Sequence, residues 1–366
     1  MQTIDVDTLR TWLDAGHAVT MLDIRTAADR AEWAIPGSMH IDAYAALKAN
    51  DPHALDAVDL PGDRPVVTVC GAGKISLVAA KQLRARGFEA YSLKGGMQAW
   101  SLAWNTAELR VPNSAARVVQ VRRTGKGCLS YLIGADGEAA VIDATLEPVV
   151  YQQLAQQHDW RITAVLDTHI HADHLSRSRA LAEQTGATLY LPQQERVWFS
   201  HSPIGDGDTI AIGSARLAAL RTPGHTAEST SYLLDGQALL SGDTLFLNAV
   251  GRPDLHADPE AARTRAHALY ASLQRLLALP RETLVLPGHT SAPIPFDGKP
   301  LASTLAQVYA QTAFLQLPED AFVAAVLARI PPTPPNHMRI TELNEAGALA
   351  DNPIALEAGA NRCAIV

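Results

Sequence analysis

Short apolar runs separated by helical spacing occupy the first part of the chain. Residues 19–23, 66–69 and 90–93 are apolar runs of strand length, and residues 76–86 have the spacing of a helix. Strands that alternate with helices predict a parallel sheet covered on both faces, because each crossover helix packs on the sheet. We therefore expect an α/β domain over residues 1–105.

The pattern changes after this domain. Residues 106–116 show no clear periodicity and contain Pro112-Asn113-Ser114, which is typical of a linker. Apolar runs separated by glycine-rich turns then predict consecutive antiparallel strands, with helical stretches after them. The strands are expected at residues 118–121, 128–133 and 139–142, and the helices at residues 147–158, 175–185, 259–279 and 304–315. Residues 117–330 are thus expected to form a mixed α and β domain, and the proline-rich residues 331–366 to cross its surface as an extended strap.

Composition narrows the possible functions. With 366 residues, two domains are expected. The 30 basic and 38 acidic side chains give a net charge of −8 without a dense basic stripe, so nucleic acid is not an expected partner. Residues 1–30 hold several aspartates, and nowhere do about 18 apolar residues run together, so we expect neither an export signal nor a membrane span. Three scattered cysteines beside 13 histidines favour a reducing compartment, and we expect a soluble cytoplasmic protein.

Cys70 follows the apolar run 66–69 and opens a loop of small residues that leads into a helix. The loop is Gly71-Ala72-Gly73-Lys74-Ile75-Ser76. A thiol at a helix N-terminus is stabilised as a thiolate by unpaired N–H groups and the helix dipole, and Lys74 could add a positive charge. The alternative is a packed cysteine in a strand-to-helix turn. Cysteine phosphatases use a similar loop, but they need an arginine at its last position, where this chain has Ser76.

Three further segments occur around Cys70 in the order and spacing of a known family. They are Leu22-Asp23-Ile24-Arg25, Ile35-Pro36-Gly37-Ser38-Met39-His40-Ile41 and Leu93-Lys94-Gly95-Gly96-Met97-Gln98-Ala99-Trp100. Residues 1–105 resemble the rhodanese sulfurtransferase domain. The resemblance implies a doubly wound parallel sheet in which Cys70 carries a persulfide sulfur and the loop of residues 71–76 surrounds it. Trp33-Ala34 replaces the Gly-His usual before Ile-Pro-Gly, a change expected to affect local packing.

A dense set of metal-ligand residues lies in the second domain. His169, His171, Asp173 and His174 follow a strand-like run within six residues, and His225, Asp243 and His289 each follow a later apolar run. Imidazole and carboxylate together suit a divalent transition metal. The remaining eight histidines belong to no such pattern and are expected to be ordinary surface or hydrogen-bonded residues. Cys128 lies in an alternating apolar run and is expected to be a packed strand residue, whereas Cys363 has no assigned role.

The order of these residues resembles the metallo-β-lactamase superfamily, which implies an α+β αββα sandwich with the metal at one edge. The segments 127–133, 167–168, 182–187 and 251–254 look like the persulfide dioxygenase branch of that superfamily. The resemblance implies one Fe(II) per chain, held by His169, His225 and Asp243. Two imidazoles and one carboxylate leave coordination positions open, as non-haem iron oxygenases require. His171, Asp173, His174 and His289 would then orient these ligands.

Side-chain identity leaves a second reading of the metal site open. In a dinuclear zinc thioester hydrolase of the glyoxalase II type, the same seven residues would hold two zinc ions per chain with Asp243 bridging. Arg252 matches an arginine that the resemblance places near the anionic groups of the substrate thiol, and its alternative is an ion pair with Asp254. Thr290-Ser291-Ala292 stands where glutathione-using relatives have a tyrosine, so the identity of the thiol stays open.

The sequence thus predicts an enzyme of sulfide detoxification with two modules. The iron centre would oxidise a low-molecular-weight persulfide, such as glutathione persulfide, with O2 to sulfite and thiol, and Cys70 would transfer sulfur between persulfide, sulfite and thiosulfate. Small molecules are the expected partners, and a homo-oligomer is compatible with the sequence. The alternatives are the zinc hydrolase with an accessory rhodanese domain and a non-catalytic sulfur carrier.

Overall fold

The computed structural model describes residues 2–366. The first domain alternates strands and helices, as the sequence predicts. Its elements are β1 (Thr3–Ile4), α1 (Val6–Asp14), β2 (Thr20–Asp23), α2 (Ala27–Glu32), β3 (Met39–His40), α3 (Tyr44–Lys48), β4 (Val66–Val69), α4 (Ile75–Ala85), β5 (Ala90–Leu93) and α5 (Gly96–Trp100). All strand pairs are parallel, in the order β1-β5-β4-β2-β3.

Both faces of this sheet are buried. On one face Val66 of β4 packs in a cluster with Leu83 of α4, and on the other Val67 packs with Leu9 of α1 and Trp100 of α5. Adjacent residues of a strand point to opposite faces, so each buried strand supplies two cores. The doubly wound parallel domain expected from the sequence is confirmed.

The second domain begins with strands β6 (Asn105–Arg110), β7 (Arg117–Arg123), β8 (Cys128–Ala135) and β9 (Glu138–Ile142). It continues with α6 (Pro148–Gln157), β10 (Arg161–Leu166), α7 (Ser178–Thr185), β11 (Thr188–Pro192), β12 (Ser202–Ile204), β13 (Thr209–Ile212), β14 (Ala215–Arg221), β15 (Thr230–Leu234), β16 (Ala238–Gly242) and β17 (Val250–Gly251). After these come α8 (Pro259–Leu277), β18 (Leu284–Pro287), β19 (Ser303–Thr304), α9 (Leu305–Gln311), a 3-10 turn (Ala313–Gln316) and α10 (Glu319–Ala328).

Two mixed sheets pack face to face in this domain. The seven-stranded sheet has the order β12-β11-β10-β9-β8-β7-β6, and the six-stranded sheet has the order β13-β14-β15-β16-β18-β19. Ile133 and Ile142 of the first sheet share a buried cluster with Leu217 and Leu240 of the second. Helices α6 and α7 pack on the outer face of the first sheet, and α8 and α10 on that of the second. The αββα sandwich expected from the sequence is confirmed.

The predicted linker is partly a strand. Residues 105–110 form β6, which pairs with β7 along its whole length at the edge of the seven-stranded sheet. The alternation of buried Asn105 and Ala107 with exposed Glu108 and Arg110 is too short and too polar to stand out in the sequence.

The tail is not the extended strap that its prolines suggest. Beyond Pro335 it forms α11 (His337–Ala346), α12 (Pro353–Glu357) and β20 (Ala364–Ile365), which pairs with β17. Ile340 and Leu343 of α11 pack against Leu175, so the helix is stabilised by tertiary burial that a proline count does not reveal. Among the helices of residues 2–366, none is long and apolar enough to span a membrane.

Candidate metal centre and sulfur-transfer loop

The metal-ligand residues meet at one edge of the sandwich. His169, His171, Asp173 and His174 lie in the loop after β10 of one sheet. His225, Asp243 and His289 lie just after β14, at the end of β16 and just after β18 of the other sheet. All seven side chains are buried. Face-to-face packing of the two sheets therefore brings together residues up to 120 positions apart in the sequence.

Three of these residues form one close group. The ligand atoms of His169, His225 and Asp243 lie within 4.8 Å of one another. Asp243 Oδ2 is 3.9 Å from His169 Nε2 and 3.6 Å from His225 Nε2. Within residues 2–366, His169 Nε2 and Asp243 Oδ2 find no hydrogen-bond partner. Buried polar atoms without hydrogen-bond partners are rare in proteins. Two imidazole nitrogens and one carboxylate oxygen suit a divalent transition metal, and a metal bound here would satisfy these atoms.

Neighbouring groups set the tautomers that such a metal needs. Thr168 Oγ1 donates its only proton to Asp143 Oδ2 at 2.9 Å. The same oxygen therefore accepts from His169 Nδ1, also at 2.9 Å, so Nδ1 carries the ring proton and Nε2 keeps its lone pair. His225 Nδ1 donates to the carbonyl oxygen of Arg252 at 2.8 Å, with the same result. Burial lowers the pKa of His169, and so does the neighbouring His171; burial also lowers the pKa of His225. Both imidazoles are therefore neutral.

Asp243 is held as a carboxylate by its partners. Burial alone would raise its pKa, but cationic His289, which hydrogen-bonds to Asp243 Oδ1 through Nδ1, lowers it. The pKa of Asp243 therefore lies below the ordinary aspartate value. One carboxylate oxygen is bound to His289, and the other faces the two neutral imidazoles.

The remaining ligand-type residues form separate groups. Asp173 accepts from His174 Nδ1 at 3.0 Å and from His289 Nε2 at 2.8 Å, while His171 Nε2 donates to Asp143 Oδ1 at 3.2 Å. Burial would lower the pKa of His174, but Asp173 raises it to about 10. In the described residues His171 Nδ1 and His174 Nε2 have no hydrogen-bond partner either. His171 Nδ1 has its lone pair available for a cation, whereas His174 Nε2 could bind one only after losing the proton that Asp173 stabilises.

Sequence reasoning missed two cysteines at this centre. Cys128 Sγ lies 3.4 Å from Asp173 Oδ2 and belongs to a close group with Asp173, His174 and His289. Burial and Asp173 raise the pKa of Cys128, but the charge of His289 and the hydrogen bonds with His174 and His289 together outweigh them, and the pKa is about 7. Cys363 belongs to a second group with Asp243 and His289. No ligand spacing marks either cysteine, because a backbone bridge to His289 positions Cys128 and the tail positions Cys363.

Arg252 is engaged inside the protein. Its guanidinium forms a bidentate ion pair with Asp254, with N–O distances of 2.8 and 2.7 Å. Its other N–H groups donate to the carbonyl oxygens of Pro331, Pro332 and Arg362 in the tail. All five guanidinium donors are thus in use, and of the two roles left open by the sequence the structure shows the ion pair.

Cys70 lies where the sequence places it, between β4 and the N-terminus of α4. The backbone N–H of Ser76 donates to Cys70 Sγ at 3.4 Å, and Ser76 Oγ is 3.3 Å from the same sulfur. Ser76 Oγ is itself fixed by Ser92 Oγ of β5 at 2.8 Å. The thiol thus takes the position of a helix cap, which favours negative charge on its sulfur. Gly71, Ala72 and Lys74 form the exposed part of the loop, and Ile75 is partly buried.

Two glycines allow the Cys70 loop to close. A Cβ on Gly96 would lie 2.1 Å from the carbonyl oxygen of Cys70, and one on Gly73 would lie 2.6 Å from the backbone nitrogen of Gly95. Met97 N–H also donates to that Cys70 carbonyl at 2.8 Å. The backbone of the Gly95-Gly96 turn therefore packs directly on the nucleophile loop.

Cavities adjoin both of these sites. One of about 330 Å³ borders His169 and His171 and lies between α7 and α11. Asn344 of α11 donates to the carbonyl oxygens of His171 and His174, so the tail helix also holds the histidine loop. A second cavity, of about 250 Å³, opens beside Gly71 between the two domains.

Comparisons with known proteins agree with this architecture. Residues 5–103 match the rhodanese-like domain, and residues 123–289 match the metallo-beta-lactamase superfamily. A hydroxyacylglutathione hydrolase of Xanthomonas campestris pv. campestris is 36% identical over 160 residues, which are 43% of this chain and 58% of that protein. The chain thus spans little more than half the length of this relative.

Two solved structures resemble the chain. A metallo-beta-lactamase from Staphylococcus aureus superposes with a TM-score of 0.59 at 28% identity, over 64% of this chain and 74% of that one. ETHE1 from Myxococcus xanthus superposes with a TM-score of 0.56 at 31% identity, over 63% of this chain and 99% of that one. The chain therefore belongs to the metallo-beta-lactamase superfamily and carries an N-terminal rhodanese-like domain.

Proposed function

We propose that the protein is a persulfide dioxygenase coupled to a sulfurtransferase. The observation that carries the proposal is the close group of His169, His225 and Asp243, in which two neutral imidazoles and one carboxylate converge. The similarity to ETHE1 from Myxococcus xanthus, which spans nearly all of that chain, supports it. The reaction is RSSH + O2 + H2O → RSH + SO3²⁻ + 2H⁺. Fe(II) bound by these three residues, one per chain, would supply the open coordination positions and the redox chemistry that O2 requires.

The protein's own residues orient this site. The hydrogen bonds of Thr168 and of the Arg252 carbonyl fix the ring orientation of His169 and His225. His289 holds one oxygen of Asp243, so that the other stays directed at the imidazoles. The cavity beside His169 offers the persulfide a place to bind.

Cys70 performs the second reaction of the proposal. Its thiolate attacks the outer sulfur of thiosulfate, the S–S bond of thiosulfate breaks, and sulfite leaves while Cys70 keeps a persulfide. The Ser76 N–H and hydroxyl stabilise the charge on the Cys70 sulfur. The three cysteines form no disulfide within the described chain, which suits a reducing compartment such as the cytoplasm.

Oxygen uptake after anaerobic loading with Fe(II) tests the dioxygenase. With glutathione persulfide or coenzyme A persulfide as substrate, we expect O2 consumption and one equivalent of sulfite. His225→Ala should lose iron and O2 uptake together. The matched control His267→Ala, at an exposed position on α8, should keep both. Absence of O2 uptake with every persulfide would reject the proposal.

A dinuclear zinc thioester hydrolase is the second candidate. Two observations favour it: the unpartnered His171 Nδ1 and His174 Nε2, and the hydroxyacylglutathione hydrolases among the relatives. This enzyme would bind two zinc ions per chain and cleave a glutathione thioester without O2. Metal analysis of the purified protein, combined with thioester hydrolysis under nitrogen, decides between the two candidates.

A further inference from the structure

The C-terminal tail brings a second thiol, that of Cys363, to the metal centre. The Cys363 sulfur lies within 4.8 Å of a carboxylate oxygen of Asp243 and a ring nitrogen of His289. The Arg252 N–H donates to the Cys363 carbonyl at 3.0 Å, and the next two residues pair with β17. Within residues 2–366, the buried Oδ2 of Asp243 has no hydrogen-bond partner. Cys363 is therefore a sulfur atom held at the site where the proposed substrate sulfur reacts.

The same tail segment also touches the sulfur-transfer domain. Residues 358–360 line the cavity of about 250 Å³ that opens beside Gly71, the residue after Cys70. Arg362 forms an ion pair with Glu32 of α2 at 3.4 Å. One short segment thus contacts both modules, and its thiol is three residues from the cavity. At about 3.3–3.6 Å per residue, three residues span about 10 Å.

The segment is held at both ends. Glu357 is fully buried and pairs with two buried arginines, and the other end is held by the two β20–β17 residue pairs and by the Arg252 bonds to the carbonyl oxygens of Arg362 and Cys363. Gly359 lies between them at φ +124°, and a Cβ built on it would meet nothing within 4 Å. Once the bonds at the β20 end are released, this glycine lets residues 360–363 swing about the fixed Glu357.

We propose that Cys363 is a tethered sulfur carrier that takes sulfane sulfur from Cys70 and presents it at the metal centre. The step is Cys70–S–SH + Cys363–SH → Cys70–SH + Cys363–S–SH. The Cys363 sulfur attacks the outer sulfur of the Cys70 persulfide, the S–S bond at Cys70 breaks, and a new S–S bond forms at Cys363. The proton of Cys363 passes to Cys70, and no net oxidation occurs.

This inference rests on the proposed dioxygenase, because it supplies that enzyme with a substrate carried by the protein. Two features agree with it. Arg252 spends three of its donors on tail carbonyls and keeps none for a small thiol. Thr290 stands where glutathione-using relatives have a tyrosine, so it has no phenol with which to bind such a thiol. The Thr290 carbonyl instead accepts a hydrogen bond from Asn361 of the tail.

Sulfur labelling of the metal-free protein tests the carrier separately from oxygen chemistry. The full-length chain, freed of metal with a chelator, is incubated with thiosulfate under nitrogen, then denatured, alkylated and digested. Mass spectrometry locates the extra sulfur atom. We expect it on the peptides of Cys70 and Cys363 in the wild type, and on neither in Cys70→Ser. Cys128 is the internal control, since it is equally buried near His289 but lies outside the tail.

Each other result would overturn the carrier. Sulfur confined to Cys70 would show that no transfer occurs, and sulfur on Cys363 in the Cys70→Ser variant would show that Cys70 is not its source. Equal labelling of Cys128 would show that any buried thiol is labelled. Because these measurements need neither metal nor O2, they can fail while the dioxygenase stands, and the O2 uptake assay can fail while they succeed.

Discussion

Replacing Glu357 by glutamine tests whether buried charge holds the tail. The Glu357 carboxylate lies 2.7 Å from Arg123 Nη2, pairs with Arg177 Nη1 and accepts from the N–H of Leu175 at 3.1 Å. All three side chains of this triad are almost fully buried. Glutamine keeps the shape of the side chain but leaves Arg123 without its carboxylate partner and Arg177 with only the exposed Glu147, 3.5 Å away.

The expected cost follows from that burial. Removing one partner from a buried ion pair costs about 3–5 kcal/mol, and each 1.4 kcal/mol is about a factor of ten. If this energy holds the tail in place, the fraction of molecules in which the tail is detached from the protein rises about 100-fold or more. Cys363 lies six residues beyond Glu357 and is 2% exposed, so its reaction with a thiol reagent should accelerate by a similar factor.

The assay is alkylation of the native protein, followed peptide by peptide with mass spectrometry, beside urea unfolding of the same variant. Glu183→Gln is the matched control, because Glu183 pairs with Arg179 across an exposed turn of α7, where an ion pair contributes about 0–1 kcal/mol. The reasoning is refuted if Cys363 reacts at the same rate in both variants and in the wild type.

Three further predictions concern pH and the Cys70 loop. Burial would raise the pKa of Glu357, but its arginine partners lower it below the ordinary value of 4.5, so its contribution to stability is complete above that pH and is lost as the pH falls further. Relative to the unfolded chain at the same pH, which corrects for the smaller thiolate fraction in acid, the reactivity of Cys363 towards a disulfide reagent should therefore rise as the pH falls in the wild type and change much less in Glu357→Gln. Ser76→Ala removes the hydroxyl beside Cys70, and we expect slower thiosulfate sulfurtransferase turnover with unchanged metal content. Gly96→Ala forces a methyl group into the Cys70 carbonyl and should abolish sulfur transfer, with metal binding as the control that the larger domain is intact.

The sequence predicts the fold correctly where a local run of apolar residues is also buried in the structure. Strands 66–69 and 90–93 have the predicted bounds because each is a short, mainly apolar run in which Thr68 or Ser92 is the only polar residue. Strand β6 was missed because it lies at a sheet edge, where only alternate residues are buried. Helix α11 was missed because its stability comes from packing on Leu175, which is distant in sequence.

The sequence predicts the candidate site only where its residues lie in local motifs. The metal-ligand residues occur in recognisable local motifs, and the structure brings all of them to one edge of the sandwich. Cys128 and Cys363 carry no such motif, since their place at the site depends on a bridge to His289 and on the course of the tail. The role of Arg252 could not be decided either, because its tail partners lie 79 to 110 positions further along the chain.

Arg252 connects the metal centre and the tail within one residue. Its carbonyl oxygen accepts from His225 Nδ1, while its guanidinium holds three carbonyl oxygens of the tail. Metal binding at His225 should therefore favour the closed tail, and the closed tail should favour metal binding, because thermodynamic linkage is reciprocal. Metal affinity and tail closure should change by the same factor, so loss of the metal should loosen the tail.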